Sequence, residues 1–141
     1  MKKNKGKILG VDFGEKHVGL ADCDESRSLV FGRGVLENYK SLENLFRMIK
    51  AYCDDNNIDL VVFGVPTGGI GEDTMQTERY KKIGKKLEVY LENIKVEYQD
   101  EAYSTFEAQK LLHDNPGASG YTDHELAAVA ILERFLEKIN E

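Results

Sequence analysis

Two cysteines in 141 residues, and no apolar run near the roughly 18 to 20 residues of a membrane helix, close off several classes of protein. Cys23 and Cys53 have no metal-ligand spacing and imply no disulfide framework, so both are expected to fill core space. A reducing, cytoplasmic setting is the matching expectation. The opening "MKKNKGK" is basic, but no h-region follows it, which argues against a signal peptide. No internal repeat, low-complexity segment or Pro/Ser-rich linker divides the chain. Residues 1–141 are therefore expected to form a single domain, long enough to bury a core. "TGGIG" at 67–71 lacks the Lys-Ser/Thr ending of a P-loop, which excludes nucleotide binding by that motif. Positive charge is also in short supply, with 19 Lys and Arg against 25 Asp and Glu, a net charge of −6. That balance argues against bulk binding of nucleic acid, but not against a nuclease with carboxylates at its site and lysines elsewhere.

What is present is ordinary for a soluble globular protein: 41% hydrophobic and 31% charged residues. Apolar patterning predicts strands at about 7–13, 17–23 and 28–37, the first two joined by the tight turn "GEK". Short connections favour an antiparallel meander. Leu42, Leu45, Phe46, Ile49 and Cys53 recur at helical spacing, with Ser41 as the candidate N-cap. "IDLVVFGVP" reads as a central strand buried on both faces. A helix over 74–92, a strand over 94–100, a short helix opened by a Ser104–Glu107 capping box, the loop "NPGASGY" and a closing helix from Thr122 complete the order. The expected fold is α/β: a mixed five-stranded sheet, three antiparallel strands then parallel ones, with helices on both faces.

Candidate site residues sit where elements end. Asp12 closes the first strand, Asp100 and Glu101 close the fifth, and Asp123, His124 and Glu125 open the last helix. With the first, fourth and fifth strands side by side, these carboxylates gather at one sheet edge and suit Mg²⁺ or Mn²⁺. Glu125 has a structural explanation, since Thr122-x-x-Glu125 is a capping box, and Asp123 has a helix-dipole one. His17 and His113 read as isolated surface or loop residues. Arg79, Lys81, Lys82, Lys85 and Lys86 crowd one helix, flanked by Glu78 and Glu88. They form either a solvated face or a surface that tracks phosphates.

Four segments in order resemble the YqgF/RuvX family, the Holliday-junction-resolvase-like proteins of the ribonuclease H superfamily. They are "LGVDFGEKHVGLA", "VVFGVPTGGIGEDTMQTER", "YQDEAYSTFEAQKLL" and "HELAAVAILERFL". The resemblance implies a ribonuclease H-like fold and metal-dependent cleavage of structured nucleic acid. The substrate it implies is the 5′ end of precursor 16S ribosomal RNA or Holliday-junction-like DNA. By position, Asp12 and Glu101 would be metal ligands with Asp100 as their neighbour, and Mg²⁺ or Mn²⁺ the cofactor. Lys16, Arg79, Lys82, Lys85 and Lys86 are the candidate nucleic-acid contacts.

Two positions depart from the family pattern. Ala102 stands where the family has Arg, and His124 stands where it has Asp. Three outcomes stay open: Asp123 takes over after a small register shift, His124 serves, or the site is impaired. Asp123 is the favoured one. A non-catalytic RNA- or ribosome-associated binding module on the same fold is the alternative function. An actin- or sugar-kinase-like phosphotransferase is set aside, because 141 residues hold one such domain and not the two that close over ATP. The sequence leaves RNA against DNA, and monomer against homodimer, undecided.

Overall fold

A computed structural model describes residues 6–66, 74–100 and 121–140. A strand covered on both sides needs apolar residues at nearly every position. The segments KILGVD and IDLVVFGV meet that need and form β1 (Lys7–Asp12) and β4 (Ile58–Val65). The remaining strands are β2 (His17–Cys23), β3 (Val30–Glu37) and β5 (Lys95–Asp100). They form one sheet in the order β3-β2-β1-β4-β5. β1–β2 and β2–β3 are antiparallel, whereas β1–β4 and β4–β5 are parallel, as the patterning predicts.

β3 starts later than the predicted position 28. Asp24 accepts hydrogen bonds from the amides of Ser28 (2.8 Å) and Leu29 (3.0 Å), which keeps both in the turn.

The helices are α1 (Leu42–Asp55), α2 (Met75–Leu91) and α3 (Asp123–Ile139). Ser41 caps α1 by accepting from the Asn44 amide at 3.0 Å, and the predicted stripe of Leu45, Phe46, Ile49 and Cys53 is buried. α1 and α2 cover one face of the sheet, packing on Leu9, Val11, Val61 and Phe63. α3 covers the other, packing Ala128, Ile131 and Leu132 against Ile8, Ala21 and Val62. Both cysteines are free and buried. Burial pushes the Cys23 thiol up and drives the Cys53 thiol to about 12.

Among the described residues one charge lies inside. Asp22 on β2 is fully buried and is met by Arg33 Nε at 2.7 Å, the Tyr52 hydroxyl at 2.5 Å and Lys7 Nζ at 3.5 Å. A buried carboxylate is tolerable only with such partners. The segment with the Ser104–Glu107 capping box and the loops 67–73 and 115–120 lie outside the described residues.

Candidate active-site edge

Three parallel strands end at the same edge. β1 ends in Asp12, β4 in Val65 and β5 in Asp100, with Val65 and Asp100 in register. Side chains alternate across a strand, so a residue's neighbours two positions away give its face. Ile8 packs in the α3 core, and a Cβ at Gly10 would meet Leu132 and Ala128 of α3. Asp12 continues that row and stands, half-buried, on the α3 side. Its register partner is Gly19.

Gly19 explains how α3 reaches this point. A Cβ there would lie 2.0 Å from the carbonyl oxygen of His124 and 2.5 Å from its carbonyl carbon. The missing side chain lets the first turn of α3 rest directly on β2, next to the end of β1.

The start of α3 is itself fixed. The Thr122 hydroxyl accepts from the Glu125 amide at 3.1 Å, and Glu125 Oε1 accepts from the Thr122 amide at 3.0 Å. That is the capping box the spacing predicts. Glu125 Oε2 also accepts from the Gly34 amide of β3 at 2.8 Å. Glu125 therefore joins helix to sheet, while Asp123 and His124 are exposed in the same first turn.

His17 corrects an expectation. It is no isolated surface residue: its ring stacks on that of His124, with centroids 4.8 Å apart and planes 14° apart. No local motif signals this, because the partners come from opposite ends of the chain. His113 lies outside the described residues.

Beside His17 is an open cavity of about 270 Å³ lined by Glu15, Lys16, His17, Glu37, Asn38 and Tyr39. The Tyr39 hydroxyl is shared between the carbonyls of Gly14 (2.7 Å) and Glu15 (2.6 Å). Burial, then the Glu15 charge, raises its phenol above the usual range and keeps it a donor.

The other candidates fall out as follows. Position 100 shares the pleat of Val96 and Tyr98, which face α1 and α2, so Asp100 is not brought onto the side of Asp12. Glu101 and Ala102 lie outside the described residues. Gln99 does stand on the Asp12 side; it is buried, and its Oε1 has no hydrogen-bond partner among the described residues. Lys16 is exposed in the β1–β2 turn, and Arg79, Lys82, Lys85 and Lys86 are exposed on α2. Arg79 is paired with Glu15, which ties α2 to the β1–β2 turn. The buried Thr77 hydroxyl donates to the Pro66 carbonyl, anchoring the start of α2 just past β4. Both α2 and α3 thus begin at the edge where Asp12 sits.

Among the described residues, no three His, Cys, Asp or Glu side chains are grouped closely enough to hold a metal ion. No described helix is long and apolar enough to cross a membrane.

Residues 6–138 match the family model described as RuvX, Holliday junction resolvase. Curated relatives named "putative pre-16S rRNA nuclease" match over almost the whole chain. The protein of Dictyoglomus thermophilum is 30% identical over 134 residues, covering 93% of this chain and 95% of the relative. That of Chlorobium luteolum is 30% identical over 142 residues, covering 96% and 97%. Among solved structures, T. thermophilus RuvC in complex with a Holliday junction substrate superposes with a TM-score of 0.63 at 10% identity, over 95% of this chain and 96% of that one. At that identity the likeness establishes the fold, a RuvC-like α/β architecture.

Proposed function

Since this chain belongs to the RuvX Holliday junction resolvase family, a family of nucleases, we propose that it is a divalent-metal-dependent endonuclease on structured nucleic acid. The substrate in this reading is the 5′ end of precursor 16S ribosomal RNA or a Holliday-junction-like DNA. Residues 1–141 act as one catalytic domain. The observation that carries the reading is the meeting of Asp12 and the first turn of α3 across Gly19.

The donor set fits Mg²⁺ or Mn²⁺. Asp12 and Asp123 bring hard carboxylate oxygens to the edge, where Glu101 is the third ligand of the proposal and Asp100 its chain neighbour. When bound, such an ion supplies an activated water and offsets charge at the departing oxygen of a phosphodiester. The remaining work belongs to the chain. Asp12 at the end of β1 and Asp123 in the first turn of α3 would hold the cation together with Glu101. His124 presents its imidazole from the first turn of α3, stacked on the His17 ring. Lys16, Lys82, Lys85 and Lys86 hold the phosphate backbone, with Arg79 steadied by Glu15.

A second reading, an RNA- or ribosome-associated binding module, draws on one observation: Lys82, Lys85 and Lys86 are exposed together on α2. One experiment separates the two. A ribosomal-precursor RNA and a four-way DNA junction are incubated with wild type, Asp12→Asn and His124→Ala in Mn²⁺ or Mg²⁺. The nuclease reading expects cleavage of one substrate by wild type and its loss in Asp12→Asn. Wild type that binds RNA but cuts neither substrate would leave the binding module standing.

A further inference from the structure

We propose that His17 is a positioning residue that fixes the His124 imidazole at the end of β1. The inference deepens the nuclease reading, on which the role of His124 rests. Three observations carry it. On β2, His17 shares the pleat of Gly19, Ala21 and Cys23, the side that packs against α3. Two residues along that row, Gly19 accepts the His124 backbone at a distance no other residue type allows. At the end of the row, the His17 ring lies nearly parallel to the His124 ring, 4.8 Å between centroids.

One strand therefore grips one helical residue twice, by the main chain at position 19 and by the ring at position 17. An exposed histidine on the first turn of a helix, held only by its own backbone, samples several rotamers. Stacking removes that freedom before substrate arrives, which is how positioning raises a rate without touching the reacting atoms. His17 is suited to the role, because its own backbone is held in the ladder opposite Glu37 and at the start of β2. His17 also lines the cavity beside Lys16 and Asn38, so one residue borders both that cavity and His124.

The test uses the full-length protein and four variants: His17→Ala, His17→Phe, His124→Ala and the double alanine. With Mn²⁺ and the substrate that wild type cuts, His17→Ala is expected to lower kcat about tenfold and leave KM within twofold. His17→Phe, which keeps a stacking ring, restores at least half of the rate. In the His124→Ala background, removing His17 adds no further loss. A loss that is the same in both backgrounds, or one that Phe does not rescue, overturns the proposal. His17→Phe also keeps the test open if His17→Ala fails to fold.

A second readout is independent of turnover. The His124 ring protons in the NMR spectrum should show cross-peaks to His17, and should move and broaden in His17→Ala but recover in His17→Phe. If wild type cuts nothing, the nuclease reading fails while this spectrum still decides whether the two rings are held together. Unchanged His124 resonances in His17→Ala would sink the positioning role whatever the enzyme does.

Discussion

Gly19→Ala is the sharpest probe of how the sheet and α3 assemble the candidate edge. The new methyl carbon would fall 2.0 Å from the His124 carbonyl oxygen, whereas an ordinary contact starts at 3.4 Å. Strand and helix must part by about 1.4 Å, and the obstacle is main chain, with no flexible side-chain end to swing aside. Overpacking typically costs about 1–3 kcal/mol, and a backbone obstacle puts this case near the upper end. For a chain of this length each kcal/mol lowers Tm by roughly 3–4 °C, so a fall of about 10 °C is expected by circular dichroism. A displacement of about 1 Å at a reacting centre can reduce turnover by about a hundredfold. Gly84→Ala is the matched control. Its Cβ would press on the Tyr98 ring at 2.6 Å, between α2 and β5, on the opposite face from α3. It should lose stability but keep most of its cleavage rate. A Gly19→Ala protein with a Tm within 2 °C of wild type and full activity would refute the argument.

Other consequences can be measured on the same protein. Tyr52→Phe removes a hydrogen bond to the buried Asp22 carboxylate and should cost about 1.5–3 kcal/mol in urea unfolding. Asp22→Ala should cost about 3 kcal/mol, the low end for breaking a buried pair, because Arg33 reaches solvent. At high pH the folded chain keeps protons on Cys53, Cys23 and Tyr52 that the unfolded chain gives up, burial being the first cause in each. Their contribution is whole below about pH 9 and is lost as pH rises toward about 12, so Tm should fall across that window and fall less in Cys53→Ala. Replacing Lys82, Lys85 and Lys86 by Gln should reduce the slope of log affinity against log salt by about 2 to 3 units on duplex substrate. An unchanged slope would remove that face of α2 from the interface.

Much of the fold was legible in the sequence because its signals are local. A continuous β-branched run, a serine before an amphipathic stripe and a Thr-x-x-Glu box each state their structure within a few residues, and β4, α1 and α3 form where they indicate. Asp12 was legible as a strand-ending charge for the same reason. The stacking of His17 on His124 was not, since neither ring has a partner within its own segment. Two signals were open to reading. Glycines inside an apolar strand mark close backbone approach, which is the role of Gly19. Side chains alternate along a strand, so the strand-ending Asp100 follows Val96 and Tyr98 and not the row of Asp12. Asp22 announced its network weakly: a lone acid among small apolar residues needs partners, but Arg33 and Tyr52 come from two other elements.

The Glu125 contact with β3 gives the molecule a built-in clock. Gly34, at φ +100° beside the irregular register of β2 and β3, sends its amide to Glu125 Oε2. That proton can exchange with solvent only when Glu125 lets go, and Glu125 is also half of the box that closes the first turn of α3. The exchange of a single amide on an edge strand therefore reports how firmly Glu125 holds the helix end carrying Asp123 and His124 to β3.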